Sequence, residues 1–416
     1  MLLPKRFHTT KTHCGPSQAV LMTCIAEPNQ RMLPFRGASS SSASFLMVED
    51  SPDPLQAYSP VPPDSTIHQI LVERIDRRRH GVGMAVGVIE PQGRRVIAHG
   101  KLGRDDPRSV SGDSVFEIGS VTKVFTALLL ADMAQRAELA LTDPVGKFLP
   151  PEVSVPGRGR SITLRDLATH TSGLPGTPDN LRPANATNPF ADYSVEQLYE
   201  FLSGHELRRG VGEAFGYSNI GYALLGHALA RHSGVGYEAL VRSRILAPLG
   251  MNSTAIDLSP DLQSRLAGGH DSRLQQVPNF ELPTFAGAGA LRSTARDLLT
   301  FLGAVLGYTD SALAPAMAEM LTVRMPTGKP GLDIALGWVV RIRGRDEIVW
   351  HGGGTPGYST FLGYLRKARV GVVVLSNTST AAVDDIGSHL LDAGLPLAPG
   401  PIIVHWNGGE VSAPWK

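Results

Sequence analysis

Hydrophobic spacing divides the chain into strand-rich ends and a helical middle. "STIHQILVERIDRRRH" places Ile67, Ile70, Leu71 and Ile75 on one helical face, with Ser65 as the expected N-cap. "GMAVGVIE" and "RRVIAHGKLG" flank "PQG", which predicts two strands joined by a tight antiparallel turn. "FEIGSVTKVFTALLLADM", from Phe116 to Met133, then reads as a long apolar helix. From Thr142 to about Leu291 come helical patches broken by loops. "TLRDLATHTSGLPG" is a short helix ended by glycine and proline, and "NIGYALLGHALARHSG" is a helix with a glycine stop. "STARDLLTFLGAVLG" starts on a Ser or Thr cap. Strands return in "EIVWHGG", "YSTFLGYLR" and "VGVVVLSN", and "AAVDDIGSHLLDAGL" closes as an amphipathic helix.

This order predicts an α/β (α+β) fold: one antiparallel sheet built from both chain ends, flanked by helices, with a helical region inserted between. The expected domain runs over 65–395, its sheet part over about 65–125 and 293–395 and its insert over 126–292. A site would lie in the crevice between the two parts. "SSSSAS" and "SPDPLQAYSPVPPDS" mark residues 1–64 as a disordered tail and linker, and 396–416 as a C-terminal extension.

Composition narrows the function classes. The chain has 416 residues, 42% of them hydrophobic and 19% charged, enough to bury a sizeable core. A net charge of +1 gives no bulk attraction to nucleic acid or to an anionic membrane. Both cysteines, Cys14 and Cys24, fall in the tail, so the folded part has no disulfide, thiol nucleophile or cysteine metal site. No apolar run reaches the ~18 residues of a membrane helix. "MLLPKR" and "AVLMTCIA" read as part of an unstructured extension rather than an export leader. The 13 histidines show no zinc spacing, and neither a metal nor a cofactor is expected. Asp166 and His170, four apart in a polar helix, read as a solvated pair. "GAGALR" lacks the last glycine of a dinucleotide fingerprint, and no G-x-S-x-G elbow is present.

Three groups carry candidate chemistry. Ser120 and Lys123 are three apart at the mouth of the apolar helix and share a face. A lysine desolvated there loses its proton near neutral pH and can activate the serine, although a serine at that place can equally cap the helix. Tyr217 and Asn219 flank Ser218 in an extended segment and project to one side. Lys123, if cationic, would lower the phenol pKa, and the amide could hold Lys123 or a substrate carbonyl, while core packing and helix capping would explain the same two residues. His351 to Gly354 close a strand expected at a sheet edge, where glycines let another backbone approach. The N–H groups of Ser120 and Gly354 could then form an oxyanion hole, although "GGTPG" also reads as a turn.

In this order and spacing, "SVTK", "YSN" and "HGG" resemble the serine β-lactamase and penicillin-binding protein superfamily. The Tyr-Ser-Asn triplet is similar to the class C β-lactamases, DD-peptidases and family VIII carboxylesterases. The resemblance covers about Ser65 to Leu395. It implies a β-lactamase/transpeptidase-like fold and a serine hydrolase acting through an acyl-enzyme on β-lactam, D-amino-acid amide or ester bonds, with carboxylesterase or acyltransferase as the alternative. Ser120 would be the acylated nucleophile, Lys123 its activator, and Tyr217 the general base and acid. Asn219, His351, Gly353 and Gly354 would bind substrate. The partner would be a small molecule or peptide, in a periplasmic or secreted setting. His351 departs from the pattern, because the family places a lysine there; its cationic form would attract a substrate carboxylate and help depress the pKa of Tyr217.

Overall fold

The structure is a computed structural model that describes residues 61–344, 346–379 and 383–398. The expectations for the tail, its cysteines and most of the C-terminal extension lie outside these residues. Among them the strands are β1 (Gly83–Glu90), β2 (Gly93–Gly100), β3 (Phe116–Glu117), β4 (Arg292–Ser293), β5 (Met325–Pro326), β6 (Leu332–Ile334), β7 (Val339–Arg343), β8 (Asp346–Thr355), β9 (Tyr358–Leu365) and β10 (Val370–Ser376). Eight of them form one sheet in the order β2-β1-β10-β9-β8-β7-β6-β5, while β3 and β4 pair separately.

Every neighbouring pair of the large sheet is antiparallel, and its two sequence halves meet where β1 lies on β10, Met84 opposite Ser376. Both strands are buried along their whole length. Their apolar runs are continuous rather than alternating because helices cover both faces. On one face, Ile67 and Leu71 of the Asp64–Val72 helix and Ile386 and Leu390 of the Val383–Leu391 helix pack with Val86, Val88, Val372 and Val374. On the other, the Ala295–Val305 helix presses Leu299 to within 3.0 Å of where a Cβ of Gly87 would stand. The edge strand β2 is exposed at Gly93 and Arg94.

The first helix begins at Asp64, after Pro63, and Ser65 lies inside its first turn without capping it. Proline fixes the extended φ that the cap position needs, and the Asp64 carboxylate complements the positive helix end, so the expected serine cap has no role. Beyond this helix, Arg74 and Asp385 form a buried ion pair that ties the start of the domain to its last helix. Thr294 does cap its helix, accepting from the Asp297 N–H at 3.1 Å.

Candidate active site

Ser120 sits in a 3₁₀ turn, Gly119–Val121, that runs straight into the Thr122–Gln135 helix. That helix is buried on all sides from Thr122 to Met133, so Lys123 enters the core with it and is 0% exposed. Gly119 has φ 49°, and a Cβ there would come within 2.7 Å of the Gly354 backbone; only glycine suits both the turn and the approach.

Lys123 Nζ lies 2.9 Å from Ser120 Oγ, 2.8 Å from Asn219 Oδ1 and 2.7 Å from the Ala288 carbonyl. Burial holds this amine well below the ordinary lysine range. A neutral amine has two N–H groups and one lone pair. The amide oxygen and the carbonyl can only accept, so they take the two N–H groups. The lone pair is left for the Ser120 hydroxyl, which donates to it. Tyr217 in turn donates its hydroxyl to Ser120 Oγ at 2.8 Å. With Lys123 neutral, the chain of bonds runs from phenol to serine to amine.

The loop before the Asn219–Ser233 helix sets the second half of the cluster. Ser218, not Asn219, caps this helix, accepting from the Gly221 N–H at 2.9 Å and donating to the Pro175 carbonyl at 2.6 Å. Asn219 is thereby released to Lys123. The expected lowering of the Tyr217 pKa does not occur: burial pushes the phenol up, against the hydrogen bond to Ser120. A neutral Lys123 offers no cation to reverse this.

Asp166 and His170 are not a solvated pair, being 2% and 1% exposed. Asp166 accepts from Arg160 and Thr163, and His170 turns away under Tyr217, ring centroids 4.4 Å apart. Its Nδ1 accepts the Ser218 N–H at 3.0 Å, and burial keeps it neutral. His170 therefore props the Tyr217–Ser218 segment, a role that helical periodicity hides because the Leu164–Ala168 helix has ended and residue 170 has φ 56°. "GAGALR" also serves the site, through its glycine and its backbone carbonyl. Gly287 packs against Gly226, whose Cα stands 2.8 Å from any Cβ there, and this close approach brings the Ala288 carbonyl to Lys123.

The third group differs from expectation in two ways. β8 is an interior strand, between β7 and β9, and not an edge. However, β7 pairs only as far as Trp350, so His351 to Thr355 overrun it. The backbone that approaches the glycines is partly the protein's own: a Cβ on Gly353 would lie 2.1 Å from the Ile118 carbonyl. His351 is 4% exposed, and burial depresses its pKa to about 3. It is neutral at physiological pH and supplies neither the carboxylate anchor nor the cation beside Tyr217. Its ring nitrogen Nδ1 is 2.7 Å from the Gly352 carbonyl. Between the glycines and the Ser120 turn, Phe280, Leu282 and Phe285 line a narrow apolar recess with Gly354 and Thr355.

A half-buried serine and tyrosine joined over a buried lysine, in a fold of an antiparallel sheet flanked by helices, define a serine hydrolase. The chain belongs to the Beta-lactamase family, whose model matches residues 69–394. It is 32% identical over 313 residues to the D-alanyl-D-alanine-carboxypeptidase/endopeptidase AmpH of Escherichia coli K12, covering 71% of this chain and 80% of that one. It is 30% identical to penicillin-binding protein 4* of Bacillus subtilis, covering 70% and 67%. Among solved structures, the class C β-lactamase of Rhodobacter sphaeroides superposes with a TM-score of 0.68 at 25% identity, covering 80% of this chain and 98% of that one. A β-lactamase/D-alanine carboxypeptidase from Yersinia pestis gives 0.67 at 26%, covering 80% and 96%.

Proposed function

We propose that the protein hydrolyses D-amino-acid amide or β-lactam bonds through an acyl-enzyme on Ser120. The carrying observation is the set of contacts around the buried Lys123 Nζ, which meets the acceptors Asn219 Oδ1 and the Ala288 carbonyl and lies 2.9 Å from Ser120 Oγ; as a neutral amine it keeps its lone pair for the Ser120 proton. In this reading Ser120 Oγ attacks the carbonyl carbon as its proton passes to Lys123 Nζ. The developing oxyanion is met by the N–H groups of Ser120 and Gly354. When the C–N bond breaks, Tyr217 gives its proton to the leaving nitrogen and regains one from the Lys123 ammonium. Water then attacks the ester carbonyl, surrendering a proton to the same cluster, and Ser120 is restored. The peptidase and β-lactamase relatives support the bond class.

The test is a substrate panel (nitrocefin, a D-Ala-D-Ala peptide and p-nitrophenyl esters) with intact-mass detection of the adduct. Acylation confined to the peptide carrying Ser120, followed by decay, is the expected result. Turnover that survives in Ser120→Ala would overturn the reading.

A further inference from the structure

Ser120 and Gly354 both line the apolar recess walled by Phe280, Leu282 and Phe285, whereas Tyr217 and His351 do not. Tyr217 donates to Ser120 Oγ and, in the reading above, protonates the leaving nitrogen, so the leaving group lies on the phenol side. The acyl group is then left with the recess. Its enclosed space is about 10 Å³, room for about one water-sized group. A methyl fits there, and a ring does not.

The wall is backed by packed side chains. Phe280, Leu282 and Phe285 are all buried. Behind them the Phe190 ring lies 4.5 Å from that of Phe285 and meets that of Phe280 edge-on at 5.9 Å. On the facing side, a Cβ on Gly289 would stand 3.2 Å from Leu282 Cδ1, so the missing side chain at 289 is what leaves the space. A close-packed interior of this kind resists added groups instead of spreading to admit them.

A charged pair fixes where the wall stands. β3 and β4 place Glu117 opposite Arg292, and both side chains reach Phe280. Glu117 Oε1 accepts the Phe280 N–H at 2.8 Å and the Asn279 amide at 2.9 Å. Arg292 donates to the Phe280 carbonyl at 3.3 Å, and its guanidinium lies 3.5 Å from Glu117 Oε1. Both backbone polar groups of Phe280 are therefore tied to the β3–β4 pair. Glu117 is itself buried, and the strand that carries it leads directly into the Ser120 turn.

We propose that the recess selects methyl-sized groups on the acyl side, and that Glu117 is the positioning residue that sets its width through the Phe280 backbone. The substrates selected carry an acetyl-sized acyl group or, in a peptide, an alanine-sized side chain on the residue that acylates Ser120. This rests on the acyl-enzyme reading above and narrows it.

The experiment measures kcat/KM for p-nitrophenyl acetate, isobutyrate and phenylacetate on the full-length protein, each divided by the alkaline hydrolysis constant of the ester. The leaving group is constant, so only the acyl group varies. Wild type should favour acetate over phenylacetate by roughly a hundredfold, with isobutyrate between, since a single misfit methylene in an apolar pocket already changes rates by roughly 10–200-fold. Leu282→Ala enlarges the recess and should cut this ratio about tenfold by raising the phenylacetate rate. Gly289→Ala fills it and should cut the ratio about tenfold by lowering the acetate rate. Glu117→Gln and Asn279→Ala both loosen the hold on the wall, the second without unpairing Arg292, and each should cut the ratio by about fivefold. A merely structural loss would lower all three esters together and leave the ratio alone. A wild-type ratio near one, or a ratio that Leu282→Ala leaves unchanged, would overturn the selector. A ratio that responds to Leu282→Ala but to neither Glu117→Gln nor Asn279→Ala would remove Glu117 from it. In the wild type, a p-nitrophenol burst with an acetyl adduct on Ser120 tests the acyl-enzyme reading separately. A normal burst with a flat acyl profile sinks only the selector.

Discussion

At the scale of single residues, the decisive quantity is where the protons sit. Burial holds Lys123 well below the ordinary lysine range, favouring the neutral amine, and keeps Tyr217 a phenol. Lys123→Arg tests this directly, because a guanidinium stays protonated and cannot accept the Ser120 proton. It should lower acylation by roughly 10³-fold or more, as Lys123→Ala should, and the double variant with Tyr217→Phe should lose little more, because the groups act as a unit. Single-turnover acylation rates decide it. The pH dependence follows the same sign: the neutral amine is the working form, so kcat/KM for an uncharged ester falls on the acid side as Lys123 takes up a proton. His351, with its pKa near 3, contributes no limb between about pH 5 and 9. His351→Gln should lower the rate while leaving the shape of that profile alone. Ser120, Lys123, Tyr217 and Asn219 were legible in the sequence as a set, and the structure brings them together. The loss of the Lys123 proton could be read from its place in an apolar helix, but the raised Tyr217 phenol and the neutral His351 could not, because their desolvation is created by distant segments. His170 was missed for a related reason: its spacing suggested a helix face, and only the fold puts it beneath Tyr217.

At the scale of elements, glycines and helix ends do the positioning. Gly353 passes so near the Ile118 carbonyl that Gly353→Ala must part β8 from the Ser120 turn. The expected result is a lower Tm and a loss of acylation of roughly a hundredfold, the scale of an ångström-sized misplacement. Asp384, at the start of the last helix, predicts a stability effect. Its carboxyl is raised from 3.8 to about 7 in the folded protein, so folding is unopposed below about pH 4 and is progressively opposed as pH rises to 7. Asp384→Asn should therefore raise the unfolding free energy by about 1–2 kcal/mol at pH 8, after discounting for partial exposure, and by little at pH 4. Urea unfolding at the two pH values measures it. Elements with strong local signals, such as the β1–β2 hairpin and the Thr294-capped helix, could be read from the sequence. The interior place of β8 could not, since strand order is set by sheet pairing rather than by any local pattern.

At the scale of the whole molecule, the two-ended sheet was legible because strand-forming runs occupy both ends and helical spacing the middle. That β1 would lie against β10 was not, since nothing in either strand names its neighbour. Residues 1–60 should be dispensable for the folded part, because their Ser- and Pro-rich composition cannot bury a core. A chain starting at Val61 should keep its Tm and kcat/KM, and a large loss of either would show that the tail docks on the enzyme. The junction also has a temporal side. The Gly83 amide is held by the side chain of Asn377, 294 positions later. On a ribosome adding about 5–20 residues per second, the first hairpin waits roughly 15–60 s for that partner to be made, with its apolar strand uncovered. The protein is thus born with its longest-lived vulnerability at the front, and a chaperone that shields nascent β1 would raise its yield more than one that acts after release.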